Sequence, residues 1–281
     1  MHIDQSSMKV RMVVTDLDGT LLRADHSVGN EDMDELIKLG KQGVIRVAAT
    51  GRSIYTAAQV LSSDFPIDYL VFSTGSGVMR WVDKQLTLVM QLLSEEVTHI
   101  TSLLVMEGFD FMVHEAIPKN HLFQFHRSGV ENVDFNRRCE YYQTFGTPFI
   151  PGIPFPESAT QILIILPLEK SNLEEVVRRL LPEYSIIKAT SPFDGCSIWL
   201  EVFPHGVSKA HGIDWIASVH DIATCNIVAV GNDYNDVEML DHAGCSFVVA
   251  NAPDDLRAVY HATTGNEQCG FSHAVRLAME G

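Results

Sequence analysis

No apolar run in this 281-residue chain approaches the roughly 20 residues needed to span a bilayer; ILIILPL (162–168) is among the longest. Positive charge is scarce, with 20 Lys and Arg against 36 Asp and Glu and a formal net charge of −16. That balance excludes a general nucleic-acid or anionic-membrane binder, which needs a basic surface. An anionic ligand would have to be captured by local cations against the field of the whole chain. Cysteine is sparse too. Five stand at 139, 196, 225, 245 and 269 with no C-x-x-C pair, which reads as reduced thiols in a reducing compartment. The N-terminus, MHIDQSSMKVRMVV, shows no apolar h-region and no small-residue cleavage site, so no secretory signal is read there. Repeats, low-complexity tracts and a disordered tail are absent. The expectation is a cytoplasmic protein with no nucleic-acid or membrane partner.

What is present is an ordinary globular composition, 46% hydrophobic and 20% charged, able to bury a core in one large or two modest domains. Five short runs share one form: VRMVVTD (10–16), VIRVAAT (44–50), YLVFST (69–74), NIVAVGN (226–232) and CSFVVAN (245–251). Each is nearly continuous in Val, Ile, Ala and aromatics, the pattern of a strand buried on both faces of a parallel sheet. Helical stretches lie between them. Asn30 reads as a cap for 30–43, Ser53 for 53–61 and Ser208 for 208–220, with Pro253 in the first turn of the stretch that follows it. This alternation predicts a doubly wound α/β fold, in which ligands bind beyond the carboxyl ends of the strands. That rule collects Asp16, Thr50, Asn232 and Asn251 at one edge.

Residues 83–202 break the rhythm. A helix from Ser94, strands over FDFMVHE, TQILIILP, YSIIKAT and SIWLEVF, and a capping box of Ser171 with Glu174 predict an inserted α+β segment. The expected organisation is a core of 1–82 and 203–281, interrupted by 83–202.

The chemistry sits at the strand ends. TDLDGTLL (15–22) closes the first run with Asp16 and Asp18 two residues apart, on the same side of an extended backbone. Two such carboxylates repel unless a cation lies between them or one takes a proton. Solvated acids in an Asp-Gly turn are the bland alternative, yet these acids end a buried run, where unpaired charge is costly. Thr50-Gly51-Arg52, alone a weak signal, offers a hydroxyl and backbone N–H groups at a helix start, a ready anion site. Lys209 opens a helix, where the positive end of the dipole disfavours it unless an anion compensates. GNDYND (231–236) crowds carbonyl and carboxylate oxygens at another strand end.

In combination, these stretches resemble the haloacid dehalogenase-like hydrolases, in particular the Cof-type phosphatases with a type-two (C2B) cap, over almost the whole chain. DLDGT (16–20) resembles the family's first motif, Thr50-Gly51-Arg52 the second, Lys209 within GVSKAHG the third and GNDYND the fourth; TGSGV (74–78) and 248–270 also look like this group. The resemblance implies a Rossmann-like core and a cap that sets substrate specificity. It implies Mg2+-dependent phosphoryl transfer from a small phosphorylated metabolite, with Asp16 as nucleophile and Asp18 as acid and base. Thr50, Gly51, Lys209 and Asn235 would bind phosphate, and Asp16, the Asp18 carbonyl and the fourth motif would hold the metal. The group usually reads Gly-Asp-x-x-Asn-Asp, so Asn232 stands at the position of a metal-binding Asp. That leaves the Asn232 amide oxygen and Asp233 as alternative ligands, with Asp236 holding metal-bound water or Lys209. Asn232 as a plain helix cap is the bland reading. Within 83–202, His114, Glu115, Arg127, Arg137 and Arg138 are candidates for substrate contact, while Phe123, Phe125, Tyr141 and Tyr142 read as packing. A dehalogenase would leave Asp18 without its proton-transfer task, and a transport ATPase would need membrane helices. A binding or regulatory protein on a weakened catalytic fold is the alternative from another class, motivated by Asn232.

Overall fold

The structure, a computed structural model, describes residues 9–280. Residues 1–8, part of the stretch read for a secretory signal, lie outside the described residues. The strands in chain order are β1 (Met12–Asp16), β2 (Ile45–Ala49), β3 (Tyr69–Phe72), β4 (Gly77–Arg80), β5 (Gln85–Val89), β6 (Phe111–Glu115), β7 (Phe123–His126), β8 (Gly146–Pro148), β9 (Ala159–Leu166), β10 (Ser185–Thr190), β11 (Ile198–Phe203), β12 (Ile227–Gly231), β13 (Cys245–Val248) and β14 (His261–Ala262). The α-helices are α1 (Asn30–Lys41), α2 (Ile54–Ala57), α3 (Ser94–Met106), α4 (Val133–Tyr141), α5 (Leu173–Leu180), α6 (Lys209–Val219), α7 (Val237–His242), α8 (Asp254–Val259) and α9 (Gly270–Glu280). Two compact units emerge. One comprises the residues up to Gly51, Ala58–Thr87 and Lys209 onward; the other comprises Arg52–Ala57 and Leu88–Ser208.

The first unit is α/β. Its sheet runs β14-β13-β12-β1-β2-β3-β4-β5, parallel from β14 to β3, with β4 antiparallel to β3. The five apolar runs supply β1, β2, β3, β12 and β13. Every residue of β1 and β12 is buried, as a strand with helices on both sides requires. Helices α1 and α9 pack together, with α1 on β2 and α9 on β12, while α6 and α7 pack together over β3, β12 and β13. Fully buried Leu36, Leu39, Phe271 and Val275 line the first of these layers. Each such side chain contributes about 1.5–3 kcal/mol of burial. The register aligns the strand ends: Asp16 faces Ala49, Ala49 faces Val71, and Gly231 faces Val248.

The second unit is α+β. Its sheet runs β10-β11-β9-β6-β7-β8, antiparallel except for the parallel pair β7 and β8. Alternation sends Phe111, Val113, Ile162, Ile164 and Leu200 to one face, under Val97, Ile100 and Leu104 of α3 and Val177 of α5. Met112, Leu163, Ile165 and Trp199 turn the other way, under Phe135 and Cys139 of α4.

Several local readings change. Gly29, not Asn30, precedes α1, and Asn30 is the helix's first residue. Ser53 does cap, its Oγ accepting from Thr56 N at 3.2 Å, but α2 is a single turn rather than a helix to Leu61. Val60 and Leu61 lie outside the helix because the chain folds back to bury Leu61, Phe65 and Ile67 before β3. The Ser171 capping box does not form: Glu174 turns instead to Arg178 at 2.9 Å and Lys188 at 3.2 Å. Pro253 sits one position ahead of α8. All five cysteines are free thiols. No helix among the described residues is long and apolar enough to cross a membrane.

Candidate active site

Strand β1 delivers Asp16 into a buried position, 5% exposed, and ends there. Gly19, at φ +76°, turns the chain away in a conformation costly for any residue with a Cβ. The extended alternation expected through Asp18 is therefore cut short, and Asp18 is exposed while Asp16 is buried. The two remain close enough for the Asp18 charge to act on Asp16.

Lys209, fully buried at the first position of α6, places Nζ 2.6 Å from Asp16 Oδ1 and 2.6 Å from Asp236 Oδ1. The anion that its place in the helix demanded is thus supplied by the protein itself. Asp236 is engaged on both oxygens, because Oδ2 accepts from the backbone N–H of Asn232 at 2.8 Å and of Asp233 at 3.1 Å. Of the two tasks foreseen for Asp236, this geometry matches pairing with Lys209, and it adds the ordering of the 232–236 loop. Glycine is needed at 231, since a Cβ there would lie 2.7 Å from the Asp236 carboxyl group.

Burial alone would push the Lys209 ammonium down, but Asp16 and Asp236 outweigh it and hold the ammonium above its usual range. Burial is also the largest influence on Asp16. With the negative charges of Asp236 and Asp18, it raises the carboxyl to about 8 against the pull of Lys209. Two buried carboxylates share one ammonium, so a second cation would hold Asp16 ionised near neutral pH.

Geometry offers such a cation a seat. One terminal atom of the Asn232 amide lies 3.0 Å from Thr20 Oγ1, 3.1 Å from the Asp18 carbonyl oxygen and 3.2 Å from Asp16 Oδ2. Ligands about 2.1 Å from an octahedral Mg2+ stand about 3.0 Å apart along each edge. With its oxygen at that end, Asn232 is spaced from the Asp18 carbonyl and from Asp16 as neighbouring Mg2+ ligands are. No group of three His, Cys, Asp or Glu side chains among the described residues is arranged for a metal. Asp233 heads the 3₁₀ turn Tyr234–Asp236 and is half-buried.

Thr50 and Gly51 follow β2, whose last residue, Ala49, pairs with Asp16. A Cβ on Gly51 would lie 3.8 Å from Asn235 Nδ2 and 3.5 Å from Thr74 Oγ1, so both side chains come close to Gly51. Helix α2 has only four residues, and Thr50 N–H is spent on Val71 O at 2.8 Å, so the Thr50 backbone is not among the donors this turn can offer. Ser73 and Thr74 were missed as site residues. Both adopt positive φ, 46° and 54°, and both are buried. Two consecutive left-handed residues without glycine mark strain of the kind that gathers at functional sites; the signal available was TGSG, read only as a family-like stretch. Asn251 ties down the loop after β1, donating to Gly19 O at 2.8 Å.

Of the candidates in the second unit, His114 is 8% exposed, with Nδ1 on Asn120 O at 2.9 Å and Nε2 lacking a partner. Burial, then the Arg138 charge, pushes it down to about 3, so it is neutral. Arg138 lies over Trp199 at 4.4 Å and Tyr142 at 5.0 Å. Two further residues, unforeseen, join them: Gln161, paired with His114 across the sheet, donates to buried Glu201 at 3.1 Å. Their isolation in apolar-looking strands hid them. Arg127 is exposed against Asn136 and Phe125, Arg137 is exposed and bonds Phe193 O at 2.9 Å, and Glu115 contributes its carbonyl to Thr160. Phe123, Phe125 and Tyr142 do pack, whereas Tyr141 is 70% exposed.

A family model described as haloacid dehalogenase-like hydrolase matches residues 13–275. The chain is 26% identical over 258 residues to the HMP-PP phosphatase of Serratia proteamaculans, covering 89% of this chain and 87% of that protein. Among solved structures, the phosphatase BT1666 of Bacteroides thetaiotaomicron superposes with a TM-score of 0.78 at 20% identity, covering 99% of this chain and 98% of that one. The HAD subclass IIB sugar phosphatase BT4131 gives 0.74 at 20% identity, covering 95% and 98%.

Proposed function

The chain belongs to the haloacid dehalogenase-like hydrolases, and from that premise we propose that it is a Mg2+-dependent phosphatase, acting on a small phosphorylated metabolite such as a sugar phosphate through an aspartyl-phosphate on Asp16. One observation carries the reading: a buried carboxylate at a strand end, aimed by a buried ammonium 2.6 Å away that a second carboxylate holds in place. Asp16 attacks phosphorus, forming a new P–O bond as the bond to the leaving oxygen breaks. Asp18 gives that oxygen a proton, then takes one from the water that attacks the phosphoryl group; the bond to Asp16 breaks and phosphate departs. Acid–base help of this kind is worth roughly 10²–10⁴-fold, and the exposed setting of Asp18 suits proton exchange. Lys209, the Thr50 hydroxyl, the Gly51 backbone and Asn235 bind the phosphoryl oxygens. When bound, Mg2+ screens Asp16 from the anionic substrate; Asp16, the Asp18 carbonyl and Asn232 would hold it.

Residues 83–202 are proposed as the specificity-setting insert. The row of His114, Gln161, Glu201 and Arg138 supports recognition of a polar, hydroxyl-rich group, and relatives named for HMP-PP and sugar phosphates support the substrate class. Free thiols and the absence of a membrane-spanning helix among the described residues support a cytoplasmic setting. Phosphate release from an aryl phosphate and a sugar-phosphate panel, with Mg2+ or excess chelator, tests the proposal. Metal-dependent release lost in Asp16→Asn is the expected result. Tight binding of the panel without turnover would favour the second reading, a phosphometabolite-binding protein, for which Asn232 is the motivating residue.

A further inference from the structure

Asn232 stands where two oxygens converge, and its amide can meet them with either end. With the carbonyl end forward, Oδ1 would accept from Thr20 Oγ1 at 3.0 Å but lie against two further acceptors, the Asp18 carbonyl oxygen at 3.1 Å and Asp16 Oδ2 at 3.2 Å. That arrangement is repulsive alone and attractive around a cation. With the amide turned over, the two N–H bonds of Nδ2 are shared among three acceptors, the Asp18 carbonyl oxygen, Asp16 Oδ2 and Thr20 Oγ1 at 3.0 Å, and the acceptor–acceptor contacts are relieved. The turn is a half rotation about the terminal torsion of asparagine, which is broad and roughly two-fold. Gly19 leaves room for the amide, since a Cβ there would lie 2.7 Å from it.

We propose that the Asn232 amide serves the cation site in two orientations, its NH2 group standing in for the cation when the site is metal-free and its carbonyl oxygen ligating Mg2+ when the site is loaded. The inference rests on the Mg2+ reading above and adds what an aspartate could not do. A carboxylate at this position has no donor to offer, so without metal it would face Asp16 and the Asp18 carbonyl as a further acceptor. An amide trades affinity, through one fewer negative charge, for a loop that stays ordered in the absence of Mg2+. Asn232 is therefore a ligand and a positioning residue in turn.

The test uses MgCl2 as the probe on the intact protein. In wild type, the Asn232 side-chain NH2 cross-peak, identified by its loss in Asn232→Asp, is expected to be protected from solvent exchange without Mg2+. It should shift and lose protection on saturation. Asn232→Asp is expected to bind Mg2+ about tenfold or more tighter by calorimetry, since ligand charge sets affinity. It should also melt at a lower temperature than wild type in chelator and recover with Mg2+. The wild-type measurement stands even if that variant folds poorly, with Asn232→Ala then identifying the cross-peak. An NH2 signal indifferent to saturating Mg2+, or an Asp variant with unchanged affinity and unchanged metal-free melting, overturns the inference while calorimetric Mg2+ binding by wild type keeps the phosphatase reading intact. Absence of wild-type Mg2+ binding, together with chelator-insensitive phosphate release, overturns both.

Discussion

Lys209 shows how much one side chain can decide. Its ammonium is fully buried and bridges two carboxylates, Asp16 and Asp236. Lys209→Met keeps the volume and removes the charge, leaving Asp16 and Asp236 unpaired in the interior. Breaking a buried pair in this way costs about 3–5 kcal/mol, so urea unfolding at neutral pH should show a loss of that order, with turnover abolished. An unfolding midpoint within error of wild type would mean that the carboxylates do not depend on the ammonium. His114 makes a pH-dependent case. Its folded value is lowered to about 3, so the unfolded chain binds a proton below about 6.5 that the folded chain refuses. The stability it contributes is whole above that pH and is lost as pH falls from there toward 3, amounting to about 2 kcal/mol by pH 5. Denaturation of wild type and His114→Asn at pH 7.5 and pH 5 should show a smaller acid loss in the variant by about that amount; equal losses would mean that His114 is not buried neutral.

At the scale of elements, the function depends on loops held at strand ends rather than on the strands themselves. Gly231→Ala would drive a Cβ to within 2.7 Å of the Asp236 carboxyl group, displacing the residue that holds both Lys209 and the 232–236 loop. Steady-state assays should find kcat down by at least about tenfold, as misplacement near the chemistry costs rate steeply, and near-wild-type kcat would show that the loop tolerates the shift. These elements also show what the sequence discloses and what it withholds. The five buried parallel strands are legible because a strand covered on both faces must be apolar throughout. The three strand-end motifs, at Asp16, Thr50 and Asn232, are legible because polar residues there break that rule so sharply. Helix α2 is shorter than its sequence suggests, since the apolar spacing serves a loop that buries Leu61 and Phe65. Thr74 depends on a backbone conformation, and the Gln161 and Glu201 pair on cross-strand register, neither of which a single sequence displays. The two ends of the Asn232 amide become distinguishable only once their neighbours are placed.

The whole molecule carries a formal net charge of −16, and its proposed substrate carries a phosphate dianion. The global field therefore opposes encounter, and local donors must overcome it. Raising ionic strength from about 10 to about 150 mM shortens the screening length from about 30 to about 8 Å. At saturating Mg2+, kcat/KM for an anionic substrate should rise severalfold over that range while kcat stays constant. A fall would reveal a positive funnel that dominates the net charge. The central claim, that Asp16 carries the phosphoryl group, is tested most directly by trapping it. Protein quenched in acid during turnover and reduced with borohydride should yield one modified peptide, bearing homoserine at position 16 and absent when substrate or Mg2+ is withheld. Modification of another residue, or none during demonstrable turnover, would contradict the account.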